Sequence, residues 1–454
     1  MAPFLFLSHN CNFCNLAAMV REILENKRKA LKINLDSSIY GTFAEIGAGQ
    51  EVARNFFTAG AASGTIAKTM SAYDMVFSNS IYGAEENGRY VTKSRLDKMI
   101  SHEFNLLTER LYGPKYEAKT FFAFANTVTT LNFSKSNDPH GWLGIRFQVA
   151  PGGESNDIVF HVRLLDSDAN LQQNVLGVLG VNLVYAAYFH NDDVQTMIES
   201  LVDNLSIGSV EIDLVSIKGP AFKNANDRLV NLYLIAKGFS GAAIFDASGE
   251  ARQSKDLLYK KDVMILRTKF GQKSTPNFDL FNRAVEQFKR SQLVKDENMI
   301  VLIEVLMTNL LDDNREFNNE DLETFAKRAE EMCATGNYVI VSDFARNHKL
   351  AQYLSRCNAN SVGISTNISN LKNIFNSTNY GANYTDELLA YISDLFSRNV
   401  KLYAYPYLNK KTNEIITTRN MPVSTEAKPL FEFLIQNNYI TDIDEYDTKD
   451  VKGV

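Results

Sequence analysis

The spacing of apolar positions changes twice along the chain, and each change predicts a different kind of element. Over residues 20–32, 50–58, 65–77 and 92–111 apolar residues recur at three- and four-residue intervals, which predicts helices. The third is entered through Ser63-Gly64-Thr65, where a Ser or Thr cap is expected. The fourth runs into Gly113-Pro114, a helix-stopping pair. The segments 119–133, 143–149 and 157–165 are instead rich in aromatic and β-branched residues. The loops between them hold Asp138-Pro139 and Pro151-Gly152-Gly153, so a meander of antiparallel strands is predicted.

After residue 165 helix and strand patterns alternate. Helices are expected at 169–189, 192–204, 224–238, 278–292, 319–334, 346–356, 368–376, 384–398 and 424–437. Strands are expected at 209–216, 241–246, 262–268, 299–307, 337–342, 361–365 and 400–405. Single helices between successive strands imply crossover units and a largely parallel sheet. With 157–165 counted, the strands number eight, as a β/α barrel requires. An open doubly wound sheet fits the short gap between 241–246 and 262–268. The expected fold class is α/β: a helical Gly-rich N-terminal region, an antiparallel meander, then alternating β/α units in a largely parallel sheet. The expected division is a disordered extension (1–18), the helical region (19–115), the α/β domain (116–440) and an acidic tail (441–454).

Composition narrows the function classes. Apolar residues make up 45% and charged ones 22% of the 454 residues, a globular balance in a chain too long for one ordinary core. A net charge of −6 with no dense Lys/Arg block argues against nucleic acid as a partner. Four scattered cysteines suit a reducing, cytoplasmic setting. Cys11 and Cys14, with His9 nearby, have no second pair at a metal-ligand spacing, so no metal is assigned. The apolar run Pro3–Leu7 has only five residues and no basic start, unlike a secretory signal. The most apolar window, Val175–Phe189, is shorter than the roughly 20 residues a bilayer needs. It reads as a buried helix, so no membrane partner is expected. An aromatic content of 11% with 20 tyrosines suits the alternative reading, a non-catalytic scaffold that self-associates as a homo-oligomer.

Three segments carry candidate chemistry. Ala44-Glu45-Ile46-Gly47-Ala48-Gly49 mimics the glycine turns that let a backbone approach a ligand at a helix start, although Tyr40-Gly41-Thr42-Phe43 before it makes a poor strand. Ser63, Gly64 and Lys68 would offer a helix N-terminus and a cation to an anion, without the P-loop spacing. The strongest candidate is the pair of strands carrying His140, Arg146, His161 and Arg163. If 143–149 pairs with 157–165 these four converge, and buried cations there need an anion or carboxylates. His140 and His161 are the candidate catalytic groups. Gly47, Gly49, Ser63, Gly64, Lys68, Arg146 and Arg163 are the candidate ligand-binding groups for a small phosphorylated or nucleotide-like anion, with no cofactor assigned. The bland reading of the same strands is a solvated face with surface ion pairs. Ile244-Phe245-Asp246-Ala247-Ser248-Gly249 faintly echoes a phosphotransferase turn, and Asp312-Asp313 would suit Mg²⁺.

In the stretches GTFAEIGAGQEVARNFF, SGTIAKTMSAYDM, HGWLGIRFQ, IVFHVRLLD, KGPAF and LLYKKDVMILRTKFG, the chain resembles a widespread group of uncharacterised bacterial proteins, over about residues 30–439. Members often go by the name nicotinate-nucleotide adenylyltransferase, and sometimes TonB-dependent receptor. The resemblance implies nucleotidyl transfer, but that activity uses a G-x-F-x-P-x-H-x-x-H motif and an I-S-x-T-x-x-R motif. Here Phe6-Leu7-Ser8-His9 has one histidine and no glycine turn, and Ile364-Ser365-Thr366-Asn367 is followed by Asn370 in place of the arginine. No catalytic residue carries over. A receptor barrel finds no run of alternating ten-residue strands.

Overall fold

The computed structural model describes residues 21–444, apart from 87, 207, 270–277, 293, 308–317 and 381–382. Cys11, Cys14, His9, Asp312-Asp313 and the tail beyond 444 lie outside the described residues. The first sheet has six strands: β1 (Ile39–Gly47), β2 (Ile66–Ala72), β3 (Thr120–Thr129), β4 (His140–Gln148), β5 (Ser155–Leu164) and β6 (Val210–Lys218). Its order is β2-β1-β3-β4-β5-β6. Strand β1 is parallel to both neighbours, and β3 to β6 form the antiparallel meander read from the sequence.

One face of this sheet buries Phe43, Phe122, Phe124, Leu143 and Phe147 against α1 (Asn26–Leu35), α2 (Glu51–Ala59) and α5 (Ala169–Phe189). Alternation sends Ala44, Ala125 and Trp142 to the other face, against α3 (Met75–Tyr82) and α4 (Lys93–Arg110). Helix α5 is apolar on nearly all sides, as its sequence predicted. A Cβ at its Gly180 would come within 2.3 Å of Val52, so glycine is what lets α2 and α5 approach.

Two expectations for the N-terminal region fail. Residues 39–47 form a buried strand although Tyr40-Gly41-Thr42-Phe43 read as a poor one. Gly41 is there because the Phe122 ring covers it, and a Cβ would sit 2.2 Å from that ring. Residues 65–77 are not a helix: a 3₁₀ turn at Ala62–Gly64 leads into β2, and helix begins only at Met75. Strand β2 is an edge whose Ala67, Lys68, Thr69 and Ser71 are exposed, so it lacks the alternation that marks a half-buried strand.

Short helices α6 (Val194–Ser200) and α7 (Asp227–Ala236) lead to the second sheet. It comprises β7 (Ala242–Phe245), β8 (Ala251–Arg252), β9 (Asp262–Lys269), β10 (Met299–Leu306), β11 (Tyr338–Ser342), β12 (Ser361–Asn367), β13 (Val400–Tyr405) and β16 (Ile440–Asp442), with a small hairpin β14 (Tyr407–Asn409) and β15 (Glu414–Ile416) beside it. Helices α8 (Ser254–Leu258), α9 (Phe278–Gln292), α10 (Asn319–Cys333), α11 (Asn347–Arg356), α12 (Ile368–Ile374), α13 (Tyr384–Leu395) and α14 (Lys428–Gln436) make the connections. The order β16-β13-β12-β9-β10-β11-β7-β8 is parallel except at β7 and β8. From β9 onward the chain winds one way to β11, then returns to β12 on the other side of β9, which is the doubly wound pattern. The eight strands counted from the sequence do not share a sheet, because 157–165 and 209–216 belong to the first. That sheet also draws strands from both sides of residue 115.

The two sheets share a core. Leu232 and Ile235 of α7 belong to one buried cluster with Phe147 and Ile217 of the first sheet and Phe245, Val305 and Val341 of the second. No helix among the described residues is long and apolar enough to cross a membrane.

Candidate functional site

Register brings the histidines and the glycine turn to one end of the first sheet. Gly47 pairs with Val128, Val128 with Gly141, and Gly141 with Val162. One position along, Thr129 faces His140 and His140 faces Arg163. At about 4.8 Å per strand, Gly47 and Gly141 are about 10 Å apart across β3. This row lies at the carboxyl ends of β1 and β3. Strand β1 leads one way to β2, and the chain then crosses back to β3 on its other side, so the winding reverses between β1 and β3. In open α/β sheets, ligands bind outside the strand carboxyl ends where the order reverses.

The turn itself is built for close approach. Gly47 has φ of +78°, and a Cβ there would fall 2.3 Å from the Val128 carbonyl oxygen; one at Gly49 would fall 2.3 Å from the Asn126 side chain. The α2 N-terminus beyond is already satisfied from within. Buried Glu45 accepts hydrogen bonds from the N–H groups of Val52 and Ala53, at 3.1 and 3.2 Å, and from Asn126. Burial pushes its carboxyl up to about 7 against those bonds, which favour the anion. Glu45 thus fills the place where a helix start would hold a phosphate.

On the same row a chain of side chains runs outward from the interior. Asp213 Oδ1 lies 2.6 Å from His161 Nδ1, and His161 Nε2 lies 3.0 Å from His140 Nδ1. Asp213 and His161 are buried, and His140 is half-buried. Asp213 reaches His161 because β6 carries an irregularity in register opposite His161/Val162. Trp142 packs at a tilt against His161 with ring centres 4.9 Å apart, covering one side of it. Gln253, ahead of α8 in the second lobe, donates to Asp213 Oδ2 at 3.1 Å. A carboxylate can only accept, so His161 carries its proton on Nδ1. His161 Nε2 then accepts from His140 Nδ1–H, which leaves His140 Nε2 with a free lone pair. Burial, the neighbouring His161 and Lys255 push the His140 imidazole down to about 3, so it is neutral near pH 7. A neutral imidazole oriented through a second group by a buried carboxylate has the layout of a general base.

The cations expected beside the histidines are neutralised internally. Arg163 donates to Glu211 at 2.8 Å and lies 3.6 Å from Asp138, which Lys255 also contacts at 2.5 Å. Arg146 makes a two-pronged contact with Asp157, at 2.7 and 2.8 Å. It sits six residues along β4 from His140, about 20 Å away. Lys68, on β2 rather than one turn inside a helix, pairs with Glu103 of α4 at 2.5 Å. Ser63 and Gly64 lie at the amino edge of the sheet, since Thr65 precedes the Gly41–Ile66 pair. The structure therefore groups Gly47, Gly49, His140, His161 and Arg163, and places Ser63, Gly64, Lys68 and Arg146 elsewhere.

Sequence reading missed Asp213, Gln253 and Glu45. A signal existed for the first, because Glu211 and Asp213 alternate with Ile212 and Leu214 on one strand. Gln253 gave none, since only tertiary folding brings it to β6. Asp246 proves to be a turn residue: it accepts from Ser248 N, Glu250 N and Ser248 Oγ and pairs with Arg252. Among the described residues no group of three or more His, Cys, Asp or Glu side chains is placed to hold a metal ion.

No protein-family model and no curated protein matches this chain. Among solved structures it shows a faint likeness to a competence/damage-inducible protein of Agrobacterium tumefaciens, at 15% identity and a TM-score of 0.26, over 37% of this chain and 98% of that one. A CinA superfamily protein from Enterobacter cloacae matches at 11% identity and 0.26, over 41% and 98%. One from Klebsiella pneumoniae matches at 10% and 0.28, over 37% and 99%. Likenesses this faint identify neither a family nor an activity.

Proposed function

We propose that this protein is an enzyme that binds a small ligand, phosphorylated or nucleotide-like, at the carboxyl-end rim of β1 and β3, beside Arg163 and away from the α2 start that Glu45 fills, with His140 removing a proton from it. The observation that carries this reading is the hydrogen-bonded series Asp213–His161–His140, whose outermost nitrogen makes no hydrogen bond with the described residues. It shares a strand row with the Gly47–Gly49 turn at the point where the winding reverses. His161 is the orienting group, and Arg163 flanks His140. Calorimetric titration with nucleoside monophosphates and sugar phosphates tests it: a ligand should bind the wild type and bind His140→Ala at least tenfold more weakly. If His140→Ala binds every such ligand as the wild type does, the rim is not the site.

A specific surface favours a second reading, self-association. Tyr73, Met75, Val76 and Phe77 are each more than half exposed, in the loop and first turn of α3 just after edge strand β2. An open strand edge beside apolar side chains is a pairing surface. Light scattering should show a dimer that Phe77→Asp disperses; a monomeric wild type excludes this reading.

A further inference from the structure

Away from the rim, a cleft of about 640 Å³ opens between β4–β6 of the first lobe and β8, α8 and β11 of the second. Its volume falls within the range of small-molecule sites, which favour junctions between lobes. Trp142, Leu214, Leu257 and Tyr338 give it an aromatic and aliphatic wall, and Lys218 and Arg228 lie along it. Two features mark it as built for an acceptor-bearing ligand. Trp142, only 2% exposed, lines the cleft, and its indole N–H donates to no group among the described residues. The Arg228 Nε–H is buried without an acceptor, its other nitrogens reaching only the Gly249 carbonyl and the exposed Glu330, both at 3.4 Å. A buried polar hydrogen without a partner costs about 1–3 kcal/mol, so a ligand oxygen there is favoured.

Lys218 forms no ion pair with a described residue, whereas Arg252 is held by Asp246 and Glu250. Of the acids present, Asp227 accepts from Ser216 and the Ile217 N–H, and Asp256 lies 3.9 Å from Arg89. We propose that this cleft is a second binding site, distinct from the rim, for a small anion with a flat apolar body, of the nucleoside monophosphate kind. The anionic group meets Lys218 and Arg228, and the flat body lies along Leu257 and Tyr338 with an acceptor toward the Trp142 indole N–H. Because the Trp142 ring also packs at a tilt against His161, occupancy would be felt at the Asp213–His161–His140 series.

Trp142 is the chain's one tryptophan, so all indole emission comes from a side chain of this cleft, and the variants below tell cleft from rim. The full chain is titrated with AMP, adenosine and inorganic phosphate, exciting at the indole edge. AMP should change the emission saturably, with adenosine and phosphate each at least tenfold weaker. Lys218→Ala, a surface change that leaves folding intact, and Arg228→Met should each weaken AMP at least tenfold. His140→Gln should leave AMP affinity within twofold, which separates this site from the rim. An AMP titration with no saturable change overturns the proposal, as does wild-type affinity in Lys218→Ala, or binding lost in His140→Gln and kept in Lys218→Ala.

Discussion

Replacing His140 by glutamine isolates the electrostatic cost of holding an imidazole neutral in this site. Its folded value lies near 3, against the ordinary 6.5 that it recovers on unfolding. The sign follows from linkage: between those values the unfolded chain takes up the proton first, so stability is full above about pH 6.5 and falls as the pH drops toward 3. Between pH 8 and pH 5 that loss is about 2 kcal/mol. Because His140 is only half-buried, solvent trims it to between about 1 and 2 kcal/mol. Glu45 works in the opposite sense. Its raised carboxyl gives stability that is present below about pH 4.5 and lost as the pH rises through about 7. Wild type alone therefore mixes two slopes, but Glu45 is common to both proteins and cancels in their difference. Urea unfolding at pH 8 and pH 5 should show wild type losing about 1–2 kcal/mol more than His140→Gln. Equal losses in the two proteins would refute the placement of His140 beside His161 and Lys255.

Three further outcomes follow from the geometry. Gly47→Ala forces a side chain into left-handed backbone and onto the Val128 carbonyl oxygen, so it should cost about 2–3 kcal/mol, read as a lower urea midpoint. Lys29, 1% exposed, donates to Asp203 and Asn182 at 2.6 and 2.7 Å; Lys29→Met leaves Asp203 to Arg21 alone and should cost about 1–3 kcal/mol in the same assay. Arg146→Ala removes a half-exposed pair with Asp157 and should cost about 1 kcal/mol or less, while calorimetry shows ligand affinity at the rim unchanged.

The parts of the fold legible in the sequence are those whose burial repeats with a clean period. Strands β3 to β5 and the helices after residue 165 showed themselves because each presents one apolar face, or two, to a core. Strands β1 and β2 did not. The first is interrupted by Gly41, which serves the Phe122 ring, and the second lies at an edge where little is buried. At the site, two-residue alternation put His161 and Arg163 on one face of β5, and register sets His140 opposite Arg163, but alternation says nothing of how far apart along a strand two residues fall. Arg146 shares the face with His140 and stands at the other end of β4. The carboxylates that neutralise the cations come from β5, β6 and the loop before β4, and their pairing depends on register that no local pattern encodes.

The direction of the proton chain is open to direct observation in a long-range ¹H–¹⁵N correlation spectrum of the imidazoles at pH 7.5, assigned with His140→Gln and His161→Gln. If Asp213 fixes His161 and His161 accepts from His140, the spectrum shows His140 with its proton on Nδ1 and a bare Nε2. A proton found on Nε2 of His140 would mean that the chain runs the other way and that no base faces the rim.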